Sequence, residues 1–166
     1  MYSEFLYIIL DYFSVLTKKE VRFEIYLPIV IALISMVPAL CGMDYQYKFI
    51  LKSMTFVETI LGFTLAALSL LISNTTIEER TKNYPTNRKI RGNVVTAYRL
   101  MIVSFSHIII CASLLCLFFY VAALFPFVHN DICICVANTV YIIGVFHILL
   151  ATIHAVTNLY FITVKG

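Results

Sequence analysis

No tryptophan occurs among the 166 residues, glycine occurs five times and proline four times, and only 13% of positions are charged. An average soluble domain carries about a quarter charged residues, so this chain lacks the polar material to cover a water-facing surface. Glycine is too sparse for a Gly-rich phosphate loop, and no cysteine pairs stand at zinc-ligand spacing. Internal repeats and low-complexity segments are also missing. What the chain has is apolar side chains, 61% of the total, with a mean hydropathy of +0.93. That balance predicts an integral membrane protein.

Apolar runs of 18 or more residues read as helical spans of a hydrocarbon core about 30 Å thick. Four such runs occur, at about Ile25 to Met43, Ser53 to Ser73, Leu100 to Pro126 and Ile132 to Ala155. With their short connections they use nearly the whole chain and predict a single all-α domain, residues 1–166, of four transmembrane helices. No length remains for a separate catalytic or nucleotide-binding domain.

The first 20 residues contain a short apolar core, but no basic segment precedes it, no small-residue cleavage site follows it, and Asp11 interrupts it. This is not the pattern of a cleaved signal. At helical period Glu4, Asp11, Ser14 and Lys18 share one stripe, so residues of about 2–19 are expected to form an amphipathic helix. Two placements stand: in the membrane interface, or against the protein's own spans or a neighbouring subunit.

Orientation follows from the basic residues. Lys18, Lys19, Arg22, Arg80, Lys82, Arg88, Lys89, Arg91, Arg99 and Lys165 fall before span 1, between spans 2 and 3, or after span 4, whereas the other connections hold only Lys48 and Lys52. The positive-inside rule then makes both termini and the central loop, about 74–99, cytoplasmic. Turn signals at Tyr84 to Asn87 and at Gly92-Asn93 divide that loop into two expected helical extensions. Its six cations, Arg80, Lys82, Arg88, Lys89, Arg91 and Arg99, suit either anionic lipid headgroups or an acidic protein partner. Direct nucleic-acid contact is not expected, because that requires a clustered basic face.

Within span 2, Thr55, Thr59, Gly62, Ala66, Ser69 and Ser73 recur at steps of four and three, a small-residue stripe suited to close helix packing. Glu58 flanks it. A carboxylate facing hydrocarbon is costly and normally turns toward a bundle interior or a wet cavity, so Asn138, Thr139, Tyr141 or Lys52 are its expected partners. His107 and His147 lie at similar depth, with His154 two turns from His147. These are read as interhelical hydrogen-bonding groups rather than a metal site or proton relay, because no acid is expected at their depth. No cofactor or metal is called for.

Cys41, Cys133 and Cys135 are expected near the outer surface, where one disulfide or free thiols are both open. Cys111 and Cys116 are read as buried thiols. No nucleophile stands beside a base, so no enzymatic activity is expected.

The order of elements, an N-terminal amphipathic segment followed by "LTKKEVRFEIYLPIVIALI", a short connection, "ILGFTLAALSLLIS", a basic loop and two further spans, resembles small four-span bacterial membrane proteins encoded beside anti-phage defence genes, among them the membrane subunit of the Kiwa system. The resemblance implies a bacterial inner-membrane homo-oligomer, a tetramer as in that family, that recruits a cytoplasmic effector during antiviral defence. It supplies no catalytic residue. Two functions are therefore expected from sequence: a non-enzymatic scaffold or sensor, or a pore with Glu58 at an outer vestibule.

Overall fold

The computed structural model describes residues 4–40, 45–73, 84–124 and 131–165. Helix α1 spans Glu4–Val15. After a break at Leu16 and Thr17 the chain re-enters a helix, α2 (Lys18–Val21), passes through a π-helical segment (Arg22–Tyr26) and continues as α3 (Leu27–Leu40). There follow α4 (Tyr45–Ser73), strands β1 (Pro85–Ile90) and β2 (Asn93–Thr96), α5 (Ala97–Leu124) and α6 (Asp131–Lys165).

Among the described residues, three helices are long and apolar enough to cross a membrane, over Lys52–Ser73, Ala97–Val121 and Cys135–Tyr160. They match the expected second, third and fourth spans. The first expected span, about 25–43, falls on the π segment and the 14 residues of α3; its last three residues lie outside the described residues.

The sequence breaks the first helix in two identifiable places. Thr17-Lys18-Lys19-Glu20 is a capping box: the Glu20 N–H donates to Thr17 Oγ1 at 3.4 Å and the Thr17 N–H donates to Glu20 Oε2 at 2.6 Å. Two otherwise unpaired helix-end donors are thereby satisfied, and α2 starts there rather than continuing α1 as the expected helix over 2–19 would. Pro28 causes the second irregularity. It has no N–H to give the Glu24 carbonyl one turn earlier, and the π segment ends just before it.

The loop between α4 and α5 departs from expectation. Residues 85–96 form an antiparallel hairpin, not two helical extensions, so the fold is mostly helical rather than all-α. Ile90 pairs with Asn93, leaving Arg91 and Gly92 as the two-residue turn, with φ of 50° and 85°. Positive φ at both central positions is the requirement of a type I′ turn, whose twist matches that of the strands. Gly92 meets it without a Cβ penalty. The β-branched residues Ile90, Val94, Val95 and Thr96 favour the extended state, and the Ala97 N–H closes the hairpin on Tyr84 O at 2.9 Å.

Helix α5 is central, packed against both α4 and α6, while α3 lies along α6 and α1 crosses α5 and touches β1. The N-terminal helix packs on the protein's own helices, as one of its two expected placements has it, while Phe5, Leu6, Tyr7 and Leu10 stay exposed on its outer side. Tyr12 is buried in the main core with Val57, Phe105, Ile108, Tyr141 and Ile148. Val15 joins Ile90, Val95 and Leu100 in a second cluster beneath the hairpin. Between α5 and α6 the approach is close at Gly144, where an added Cβ would stand 2.7 Å from a Leu115 methyl.

Candidate functional site

A network of polar side chains fills the junction of α1, α2, the π segment, the hairpin and α6. Glu20 and Glu24, one turn apart, both face His154: Glu24 Oε1 lies 2.6 Å from Nδ1, and Glu20 Oε1 lies 3.4 Å from Nε2. Glu24 is only 3% exposed, yet both its oxygens have partners, because the Tyr12 hydroxyl donates to Oε2 at 2.6 Å. A carboxylate so placed needs that satisfaction. Burial, with the Glu24 charge and hydrogen bond beside it, raises the Tyr12 phenol well above its usual value and keeps it a donor.

Arg88 ties the hairpin to this junction. Its Nη1 and Nη2 donate to Glu20 Oε2 and Oε1, each at 2.6 Å, and Nη1 also donates to the Val15 carbonyl at 2.8 Å. One guanidinium thus binds a carboxylate with a planar fork and caps the last turn of α1. Burial pushes the Glu20 carboxyl upward, but the hydrogen bonds from Arg88 and Thr17 and the Arg88 charge outweigh it and hold the group at about 2. The same pair raises Arg88, through its hydrogen bonds to Glu20 first, against the opposing effect of burial. Arg91 makes a second tie, from Nε to Asp11 Oδ1 at 3.0 Å, with its guanidinium 4.8 Å from the Tyr7 ring centre.

These contacts redistribute the basic loop. Arg88 and Arg91 are engaged by the chain's own acids, whereas Lys89 and Arg99 are exposed. Arg80 and Lys82 lie outside the described residues.

Just above the network, His107 on α5 and His147 on α6 meet, Nε2 to Nε2, at 3.0 Å. Cys111, one turn along α5, brings its sulfur within 3.5 Å of His107 Nε2. Tyr12 stacks flat on His107, with centroids 3.8 Å apart and planes 7° from parallel. The Glu24 carbonyl, deprived of a donor by Pro28, takes the His147 Nδ1–H at 3.1 Å. The expectation that no acid stands near these histidines is therefore corrected. Glu24 comes from the first helix, bonding His154 through its carboxylate and His147 through its backbone.

The expected packing stripe lies on the other side of the molecule. Thr55, Thr59, Gly62, Ala66, Ser69 and Ser73 are all exposed, and α4 instead packs inward through Met54, Val57, Ile60, Thr64 and Leu68. Among the described residues, nothing lies within 4 Å of a Cβ placed on Gly62. Glu58 is exposed on the same outward side, and its hydrogen-bond donor is Tyr120 of α5, at 2.8 Å, rather than any of the four residues expected. Cys111, Cys116 and Cys135 are free thiols; Cys41 lies outside the described residues.

Sequence reasoning missed Tyr12, Glu20 and Glu24. Two local signals pointed to the acids: the Thr-x-x-Glu capping box and the proline four residues after Glu24, which leaves a backbone carbonyl seeking a donor. Nothing local marks Tyr12 or the 68-residue link from Glu20 to Arg88. Comparison with protein-family models, with curated proteins and with solved structures returned no match.

Proposed function

We propose that this chain is a non-enzymatic scaffold of four spans in the bacterial inner membrane, with both termini and the hairpin cytoplasmic, that assembles with copies of itself and holds a cytoplasmic protein partner. The supporting observation is the outward face of α4. Glu58 and six small or hydroxyl side chains are exposed there, while the apolar seam of the same helix faces α5. Left against hydrocarbon, the carboxylate is costly; against a second copy it gains partners, and small side chains let two backbones approach closely. A tetramer is the number implied by the resemblance to Kiwa-type membrane subunits. The hairpin, clamped by Arg88 and Arg91, would present Lys89 and Val94 to the partner as a rigid edge.

The test is assembly in a mild detergent, with cysteine introduced at Ala66 as a cross-linking site. Scaffolding predicts a defined oligomer by light scattering and a cross-linked dimer in native membranes. A monodisperse monomer that gives no cross-link would reject it.

A pore is the second reading, favoured by the exposure of Glu58 beside Tyr120 on that open face. In a ring of subunits this pair could line a common axis.

A further inference from the structure

We propose that His107, Cys111 and His147 form a three-coordinate site for a monovalent soft metal ion, Cu(I), beneath helix α1. The three donor atoms all lie within 4.8 Å of one another. His107 and Cys111 stand four residues apart on one face of α5, and His147 reaches across from α6. Their separations of 3.0 Å between imidazole nitrogens and 3.5 Å between Cys111 Sγ and His107 Nε2 are close to those that metal bonding imposes. Metal–nitrogen and metal–sulfur bonds of about 2.0–2.3 Å put neighbouring donors about 3.3–3.8 Å apart. Opening the histidine pair by a few tenths of an ångström accommodates the ion.

A second feature orients the donors. Histidines that bind metal almost always give their other N–H to a carbonyl or carboxylate, which fixes the tautomer and aims the free lone pair. His147 has this arrangement: Nδ1–H donates to the Glu24 carbonyl at 3.1 Å, leaving Nε2 directed at His107. Pro28 creates the requirement, because Glu24 O has no α-helical donor. On the far side the Tyr12 ring covers His107, and the centroid of Phe13 lies 5.4 Å from it. The site is thereby closed off by α1.

Charge and softness select the ion. Thiolate and imidazole donors suit Cu(I) and zinc. One thiolate and two neutral imidazoles cancel the charge of Cu(I) but leave a net positive charge on a divalent ion, and an unbalanced charge among apolar helices is costly. Binding replaces the Cys111 S–H bond with an S–Cu bond and releases that proton to solvent. His107 carries its remaining proton on Nδ1. No electron is transferred.

The experiment titrates the full chain, purified in detergent under anaerobic reducing conditions, with Cu(I) against a chromophoric Cu(I) chelator. Cys41, Cys133 and Cys135 are replaced by Ser and the buried Cys116 by Ala in this background, so that Cys111 is the one remaining thiol. The expected result is one equivalent of Cu(I) retained per chain, with a thiolate-to-copper absorption in the near ultraviolet. Both signals should disappear in Cys111→Ser and in His147→Gln, each checked for unchanged elution and helix content. The proposal is overturned by a parent chain that yields all its copper to the chelator, by folded variants that still bind, or by retention of zinc in place of Cu(I). Should either variant fail to fold, Tyr12→Leu supplies the remaining test: uncovering His107 should speed copper release to the chelator, and an unchanged rate counts against the site.

Discussion

Arg88 and Glu20 meet as a two-pronged ion pair, 2.6 Å at each prong, across 68 residues of chain. The pair joins strand β1 of the hairpin to α2, and the same guanidinium holds the end of α1 through Val15 O. Three elements therefore share one cation. Arg88→Gln should release all three together and lower stability by about 1.5–3 kcal/mol, the range for hydrogen bonds to charged groups, with solvent access to the pair favouring the lower end. Hydrogen exchange across 85–96 and 4–15 should accelerate in both segments. Arg88→Lys should fall between, because an ammonium cannot reproduce the fork. Acceleration confined to the hairpin would show that Arg88 does not couple it to α1.

The pair also sets a pH dependence. Glu20 titrates at about 2 in the fold against an ordinary 4.5. A depressed folded value means that its stabilisation is complete above about 4.5 and is lost as pH falls from there toward about 2. Protection of the hairpin from proteolysis by an acid-active protease should decline through this window. Glu20→Gln should give weaker protection with a flatter dependence on pH. Identical profiles in the two proteins would mean that another group governs the decline.

Three long apolar helices were legible because long apolar runs constrain a chain wherever its partners lie. The hairpin was not read as strands because Pro85, Asn87 and Gly92 look like punctuation, while the strands themselves are six and four residues long. Their stability depends on burying Ile90 and Val95 against Val15 and Leu100, a contact between segments far apart in sequence. The polar junction was hidden for the same reason. Glu20 and Glu24 are read locally as the charged approach to a span, and only the tertiary fold brings Arg88 and His154 to them. His107 and His147 were legible as a pair at equal depth, whereas the carbonyl that orients His147 depended on seeing what Pro28 withholds.

Two glycines separate packing within the fold from the assembly proposed for the outward face of α4. At Gly144 a Cβ would stand 2.7 Å from the Leu115 side chain, whereas at Gly62 it would meet nothing. Gly144→Val should push α5 and α6 apart or force Leu115 off its rotamer, at about 1–3 kcal/mol for overpacking, and lower the yield of folded protein. Gly62→Leu should leave the isolated fold unchanged while reducing oligomer size in detergent. Thermal stability read beside light scattering distinguishes the two effects. Equal losses of stability at both positions would contradict the outward placement of Gly62.

Glu58 and Tyr120 provide the test that divides scaffold from pore. In a scaffold the carboxylate serves to hold neighbouring groups in an interface, and Glu58→Gln preserves its shape and its acceptor for the Tyr120 hydroxyl. Assembly should then survive Glu58→Gln and weaken in Glu58→Leu, which removes the acceptor and leaves the phenol without this partner. In a pore the charge itself matters, because a ring of carboxylates concentrates cations at the mouth. Neutralising it should reduce cation conductance even though the oligomer remains intact. Liposomes containing wild type, Glu58→Gln and Glu58→Leu, assayed for potassium flux and for oligomer size, resolve the matter. The scaffold predicts no flux above empty liposomes in any of the three and loss of assembly only in the leucine variant. A wild-type flux that Glu58→Gln abolishes at constant oligomer size would assign the outward face of α4 to an ion path.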